Sequence, residues 1–333
     1  MDFSNHLLLA VVFLVIGFVL LIKGADLFVE GSSSIAKKLN VPAMIIGLTI
    51  VAMGTSLPEL AVSLTASMAG NNELAVSNVL GSNLFNLTVV IGVCALIVPV
   101  TVQKNTLQRD FPVSVISTIL LFALGIGGMT IGHADGVILS ALFVIFLILM
   151  VRSALKARKA ALTEFSPEAA ELELEEEEVS EDIRVIPVWR CILYIGLGIA
   201  GIILGSDWVV GAASAIAAQF GLSQNLIGLT IVAIGTSLPE LVTSVTAARK
   251  NEVDLALGNA LGSNIFNVFL ILGVSGAISP MGYGTENMID TIILLGASLL
   301  VWMFAASSRK IVRKEGIVML LVYAADMVYI CLR

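Results

Sequence analysis

Charge is scarce in this chain. Asp, Glu, Lys and Arg make up 13% of its 333 residues, where an ordinary soluble domain carries roughly a quarter. With 58% hydrophobic residues and a mean hydropathy of +1.01, a soluble globular domain is excluded. Cysteine is nearly absent. Cys94, Cys191 and Cys331 fall in or beside apolar runs with no CxxC spacing, so they read as small buried residues and not as a disulfide framework. Histidine is rarer: His6 and His133 lie near expected helix ends and make no cluster, which leaves no imidazole metal centre. There is no HExxH and no intramembrane Asp pair with GxGD, so a zinc or aspartyl intramembrane protease lacks its motifs. Strand-like alternation is missing too, which excludes a membrane β-barrel. No Lys or Arg precedes the first apolar run, so the basic head of a signal peptide is absent. The net charge of -7 comes largely from one acidic tract and gives no reason to expect a nucleic-acid partner.

What is present is a series of apolar runs, each of about 20 residues and long enough to cross a hydrocarbon core of roughly 30 Å. Backbone groups in lipid must be satisfied internally, so the expected fold is an all-α integral membrane bundle. The runs are Leu7–Ile22, Val41–Met68, Leu74–Val98, Phe111–Gly127 and Gly136–Val151, then Ile192–Val210, Asn225–Ala248, Leu255–Ile278, Ile289–Ala306 and Gly316–Leu332. Between the fifth and sixth lies a basic-then-acidic segment containing ELELEEEE, Glu171–Glu178. Like-charge blocks make solvated spacers, and roughly 35 residues are too few for a second globular domain. The chain therefore divides into residues 1–155, an acidic loop at 156–187, and residues 188–333.

Basic residues set an orientation. With ten spans and the N-terminus outside, every Lys and Arg of the chain except Arg333 falls in a loop on one side. The positive-inside rule makes that side cytoplasmic. The reading is a multi-pass protein of the cell (inner) membrane with both termini outside and the central loop inside.

The two halves repeat each other. GLTIVAMGTSLPEL at Gly47–Leu60 returns as GLTIVAIGTSLPEL at Gly228–Leu241, 181 positions later. At the same offset Asp26 meets Asp207, and NVLGSNLFN (Asn78–Asn86) returns as NALGSNIFN (Asn259–Asn267). Five spans separate the copies, so the second enters the membrane from the opposite side. Inverted repeats of this kind place a binding site at the midplane, where the halves meet.

Each GTSLPE copy puts a carboxylate at membrane depth, which costs a few kcal/mol and marks a functional site. Pro58 has no N–H, so the Gly54 carbonyl loses its helical partner and the turn opens. Loosened carbonyls around Ala52–Thr55 then line a cavity. Thr55 and Glu59 share a face, with the Ser56 hydroxyl beside them, and Gly235, Thr236, Ser237, Pro239 and Glu240 repeat the set. Asn78, Ser82 and Asn86 form a polar stripe four apart, mirrored by Asn259, Ser263 and Asn267, while Asn83 points elsewhere. These donors are all oxygens of hard type, suited to Ca²⁺ or Na⁺ and not to Zn²⁺ or Cu⁺. Two carboxylates neutralise one Ca²⁺ or two Na⁺, and three Na⁺ leave one extra positive charge. Asp26 and Asp207, near the ends of the first and sixth spans, read as helix-end or gate residues.

At these residues the sequence resembles the calcium/cation antiporter superfamily, the sodium/calcium exchangers of prokaryotic type. The resemblance rests on G-T-S-x-P-E at Gly54–Glu59 and Gly235–Glu240, on G-S-N at Gly81–Asn83 and Gly262–Asn264, and on the ten-span layout. It implies a secondary antiporter without cofactor that exchanges Ca²⁺ for Na⁺ by alternating access, normally extruding Ca²⁺, with the lipid bilayer as its only obligate surroundings. Carried onto this chain, Glu59, Glu240, Thr55 and Thr236 hold Ca²⁺. Ser56, Ser237, Ser82, Ser263 and the carbonyls of Ala52 and Ala233 help hold Na⁺, and Asn86 and Asn267 complete the centre. Many family members carry Asp at one of those two amides; this chain has Asn at both. The alternatives are a Ca²⁺/H⁺ antiporter on the same fold and, from another class, a passive cation channel.

Overall fold

The computed structural model describes residues 7–68, 72–163, 186–220 and 233–332. His6, the Glu171–Glu178 run and the first part of the seventh expected span, including Gly228–Val232, lie outside them. The described chain is helical throughout, apart from four two-residue strands. The helices are α1 (Leu7–Leu39), α2 (Ala43–Thr55), α3 (Leu57–Met68), α4 (72–97), α5 (Thr106–Ile126) and α6 (His133–Thr163) in the first half. The second half supplies α7 (Val188–Gln219), α8 (Ala233–Thr236), α9 (Leu238–Arg249), α10 (Val253–Ile278), α11 (Thr285–Ser308) and α12 (Arg313–Leu332). Eight of these are long and apolar enough to cross a membrane, and the bent pair α2–α3 makes a ninth. The seventh expected span is described only from Ala233 onward, as α8 and α9.

Polarity is inverted relative to a water-soluble protein. Val15, Ile22, Ile145 and Leu321 are exposed, whereas Ser63, Glu59, Glu240, Ser244 and Asn259 are fully buried. A surface of this kind is solvated by lipid tails, and the polar interior is where such a bundle does its work.

Two expectations about the ends of elements are corrected. The first and sixth spans do not stop at Ile22 and Val210: α1 runs for 33 residues and α7 for 32. At ~1.5 Å per residue each is about 50 Å long, well beyond a hydrocarbon core. Asp26 and Asp207 therefore lie within these helices, not at their ends. Lys23 does not end α1 because an exposed lysine can reach polar surroundings along its own stem, and Asp26 beyond it pairs with Lys250, just past the end of the neighbouring α9. The second correction is that Cys331, in the last turn of α12, is exposed, while Cys94 and Cys191 are buried.

The inverted repeat is visible in how the halves interlock. Strands β1 (Val100–Thr101), β2 (Thr130–Ile131), β3 (Met281–Gly282) and β4 (Lys310–Ile311) pair antiparallel as β1 with β4 and β2 with β3. Val100 faces Ile311 and Ile131 faces Met281, so each pair joins one strand from each half and the two pairs are repeat mates. The helix starts that follow are matched as well: Gly132 N–H donates to Asp135 at 2.8 Å and Val312 N–H to Glu315 at 2.7 Å, two reach-back caps of the same kind.

The long helices α1 and α7 pack antiparallel along a glycine seam. A Cβ on Gly24 would lie 2.8 Å from Ile202 N, and one on Gly205 2.6 Å from Leu21 N. Only glycine permits that backbone approach, and small residues at helix contacts drive association where lipid removes the usual hydrophobic gain.

Candidate cation site

The site is built where both GTSLPE motifs break their helices. α2 and α3 meet at an angle of 46°, and the residue at the break, Ser56, has φ −82° and ψ 9°. Its repeat mate Ser237 has φ −94° and ψ 7°. This bridge conformation is sparsely populated and is common at functional positions. It lets a serine turn its hydroxyl inward while Pro58 and Pro239, each without an N–H, start the next helix at no cost. In the second half the carbonyl that Pro239 leaves without a helical partner is that of Gly235, and the Ser206 hydroxyl of α7 donates to it at 2.9 Å. The Ala52 carbonyl is not loose, as the sequence suggested. It accepts the Ser56 N–H at 3.0 Å, because the α-helical ladder continues up to the break. The Thr55 hydroxyl also lies 3.4 Å from it.

The two motifs are joined crosswise. The Ser56 hydroxyl donates to Glu240 Oε1 at 3.0 Å, and the Ser237 hydroxyl donates to Glu59 Oε1 at 3.1 Å. Ser82 Oγ lies 3.0 Å from Ser237 Oγ, and Ser263 Oγ 3.5 Å from Glu240 Oε1. Each carboxylate is thus held by hydroxyls from the opposite half, and both are fully buried. The Thr55 hydroxyl reaches Asn259 Oδ1 at 3.0 Å, and Asn259 Nδ2 donates to Ser244 Oγ at 2.9 Å. Thr55 is fully buried, whereas Thr236 at the end of α8 is only partly so. Ala233 opens α8.

Asn86 and Asn267 are also buried, and each begins a widened, π-type turn, Asn86–Val90 and Asn267–Leu272. Such turns recur at functional sites. In the first half a cause is visible: the Thr88 hydroxyl donates to the Leu84 carbonyl at 2.6 Å and intrudes on the helical ladder. The sequence reading missed these turns. It also missed Ser63 and Ser244, which pair with Asn78 (3.1 Å) and Asn259 (2.9 Å). Their signal was present, since each lies four residues beyond its Glu on the same helical face.

The donor set suits a cation. Glu59 Oε2, Glu240 Oε2, Asn86 Oδ1 and Asn267 Oδ1 are buried and accept no hydrogen bond from any described residue. A buried acceptor left unsatisfied costs about 1–3 kcal/mol, and more when charged. Four such oxygens on matched positions of two inverted halves are the coordination that a hard cation offsets.

Comparison with known proteins agrees with this geometry. A sequence profile for the sodium/calcium exchanger protein family matches residues 9–152 and 191–332, the two halves on either side of the acidic loop. The putative antiporter CaxA of Alkalimonas amylolytica is 40% identical over 95% of this chain and 97% of its own. The sodium/calcium exchanger MaX1 of Methanosarcina acetivorans is 33% identical, covering 95% and 96%, and the inner membrane protein YrbG of Escherichia coli is 35% identical, covering 89% and 90%. Among solved structures, the sodium-calcium exchanger NCX_Mj soaked with 100 mM Na⁺ and 10 mM Sr²⁺ superimposes with a TM-score of 0.81 at 34% identity, over 97% of this chain and 98% of that one. The fold and the buried carboxylate pair thus define a multi-pass membrane cation antiporter, a transporter and not an enzyme. The chain belongs to the sodium/calcium exchanger family.

Proposed function

We propose that the chain exchanges Ca²⁺ for Na⁺ across the cell membrane, using the inward sodium gradient to extrude Ca²⁺. The observation that carries this reading is the crosswise pair of Glu59 and Glu240, whose outer oxygens are buried and unpartnered. Two carboxylates balance one Ca²⁺. Na⁺ has nearly the same radius and the same oxygen chemistry, so hydroxyls and carbonyls can share the site among several monovalent ions. In this assignment Glu59, Glu240, Thr55 and Thr236 hold Ca²⁺. Ser56, Ser237, Ser82, Ser263, Ala52 and Ala233 add Na⁺ ligands, and Asn86 and Asn267 close the centre.

Alternating access follows from α1 and α7 moving as a unit against the remaining bundle. Their glycine seam supports this, because it binds the two long helices tightly to each other. Both termini lie outside and the acidic loop lies in the cytoplasm, as the distribution of Lys and Arg requires. The repeats occupy residues 1–155 and 188–333.

Sodium-dependent ⁴⁵Ca²⁺ flux in proteoliposomes tests the reading. The expected result is Ca²⁺ uptake driven by an outward sodium gradient. Equal uptake driven by a pH gradient without sodium would replace it with Ca²⁺/H⁺ exchange, and flux needing no counter-ion gradient would make the protein a channel.

A further inference from the structure

The sequence reading left Asn83 outside the site, yet the structure ties its side chain to both Asn264 and Asn267 of the opposite half. Asn83 and Asn264 are repeat mates, both buried, and they reach across the pseudo-two-fold to each other. Asn83 Nδ2 donates to the Asn264 carbonyl at 3.2 Å, and Asn264 Nδ2 donates to the Asn83 carbonyl at 3.1 Å. Up to this point the two are equivalent. The second contact of Asn83 breaks the symmetry: its Oδ1 accepts from Asn267 Nδ2 at 2.9 Å. The matching contact, from Asn86 to Asn264, is not made. Asn264 Oδ1 and both side-chain atoms of Asn86 have no partner among the described residues.

The orientation of these amides follows from chemistry alone. A backbone carbonyl only accepts, so the atom of Asn83 facing the Asn264 carbonyl must be the nitrogen. The other end of Asn83 is then an oxygen, which also only accepts, so Asn267 must turn its nitrogen toward it. One end of the Asn267 amide is thereby fixed, and its Oδ1 is the end left buried and unpaired. Asn267 lies four residues after Ser263, whose hydroxyl reaches Glu240, and so its oxygen is held on the helical face that lines the cage.

We infer that Asn83 is a positioning residue that locks the Asn267 carbonyl oxygen toward the transported cation, while the equivalent Asn86 is left free to turn. The two central amides therefore differ in role: Asn267 is a preorganised ligand and Asn86 an adjustable one. Preorganisation of a ligand by a neighbouring hydrogen bond raises affinity by removing the cost of ordering it. The inference rests on the exchange reading above, and Asn264 supplies an internal control. Asn264→Ala removes the same inter-repeat bond to backbone as Asn83→Ala does, but leaves Asn267 held.

The test measures half-saturating Ca²⁺ and Na⁺ concentrations and maximal flux in proteoliposomes for Asn83→Ala, Asn264→Ala, Asn267→Ala and the Asn83→Ala/Asn267→Ala double variant. Asn83→Ala is expected to raise half-saturation about 5- to 10-fold, a loss of roughly 1–1.4 kcal/mol, with maximal flux changed less. Asn264→Ala is expected to shift it less than twofold. The double variant should match Asn267→Ala alone, because the effect of Asn83 passes through Asn267. Equal effects of Asn83→Ala and Asn264→Ala, or multiplicative effects in the double variant, would overturn the inference. If Asn83→Ala is not recovered folded, Asn83→Leu, of similar branched shape, takes its place in the same cycle. Failure of the exchange reading itself shows separately, as wild-type flux that needs no sodium.

Discussion

The two halves of the cage are drawn from nearly identical motifs and end in different surroundings. On α7, Ser206 donates to the Gly235 carbonyl; the repeat mate of Ser206 on α1 is Ala25, which has no hydroxyl to offer Gly54. Asp26 on α1 pairs with Lys250 at 3.3 Å. Its mate Asp207 on α7 is exposed. Asn267 is tethered and Asn86 is not. In an inverted repeat, a perfectly two-fold arrangement would treat both membrane faces alike. Directional access needs the halves to differ, and the other access state is reached when they trade places. On the exchange reading proposed above, those differences that are conformational trade between the halves. Others, such as Ser206 against Ala25, are written in the sequence and persist in both states.

The largest predicted effect tests the part the halves share. On the site assignment proposed above, Glu59→Gln and Glu240→Gln each remove half of the charge that balances Ca²⁺. Removing one partner of a buried charge pair costs about 3 kcal/mol or more, so ⁴⁵Ca²⁺ flux should fall roughly 100-fold or further in either variant. Near wild-type flux in one of them would show that only one carboxylate binds the ion. Next in size are Gly24→Val and Gly205→Val on the α1–α7 seam. The added side chains would collide with backbone, and overpacking of this kind costs about 1–3 kcal/mol. Both variants should lower thermal stability and slow exchange to a similar degree, since the seam is symmetric; a large inequality would place the mobile contact on one side.

Ser206→Ala isolates the encoded asymmetry. It leaves the Gly235 carbonyl without its donor, a change of about 1 kcal/mol. Half-saturating Na⁺ should therefore shift roughly fivefold, and Ala25→Ser should move it in a measurable way only if α1 approaches Gly54 as α7 approaches Gly235. The smallest effect belongs to the ion pair. Lys250→Ala removes a partly exposed contact worth about 0.2–1 kcal/mol, seen as a modest drop in melting temperature at low salt that vanishes at high salt. A severalfold change in flux would assign the pair a gating role.

Much of the architecture was legible because the chain states it twice. The 181-residue offset identified the inverted repeat, the GTSLPE break and the oxygen-rich character of the centre, and the structure places these side chains in two matched hydrogen-bonded trios, Glu59 with Ser237 and Ser82, and Glu240 with Ser56 and Ser263. The ends of α1 and α7 were not legible. Lys23 and Asp26 read as the edge of a span, whereas the glycine seam that carries the helix past them depends on the partner helix. The crosswise pairing of each serine with the other half's carboxylate was invisible for the same reason: no pattern within one repeat records how the second copy is superposed on it. Asn83 illustrates this most clearly. Its helical spacing sets it apart from the stripe of Asn78, Ser82 and Asn86, and only the opposite half brings it to Asn267.

The strand pairs impose an order on biogenesis. Val100–Thr101 is inserted early but finds its partner at Lys310–Ile311, near the far end of synthesis, whereas Thr130–Ile131 closes on Met281–Gly282 sooner. For most of translation the first half stands in the membrane as an open clasp. It becomes a complete transporter only when the last helix hairpin arrives to fasten it.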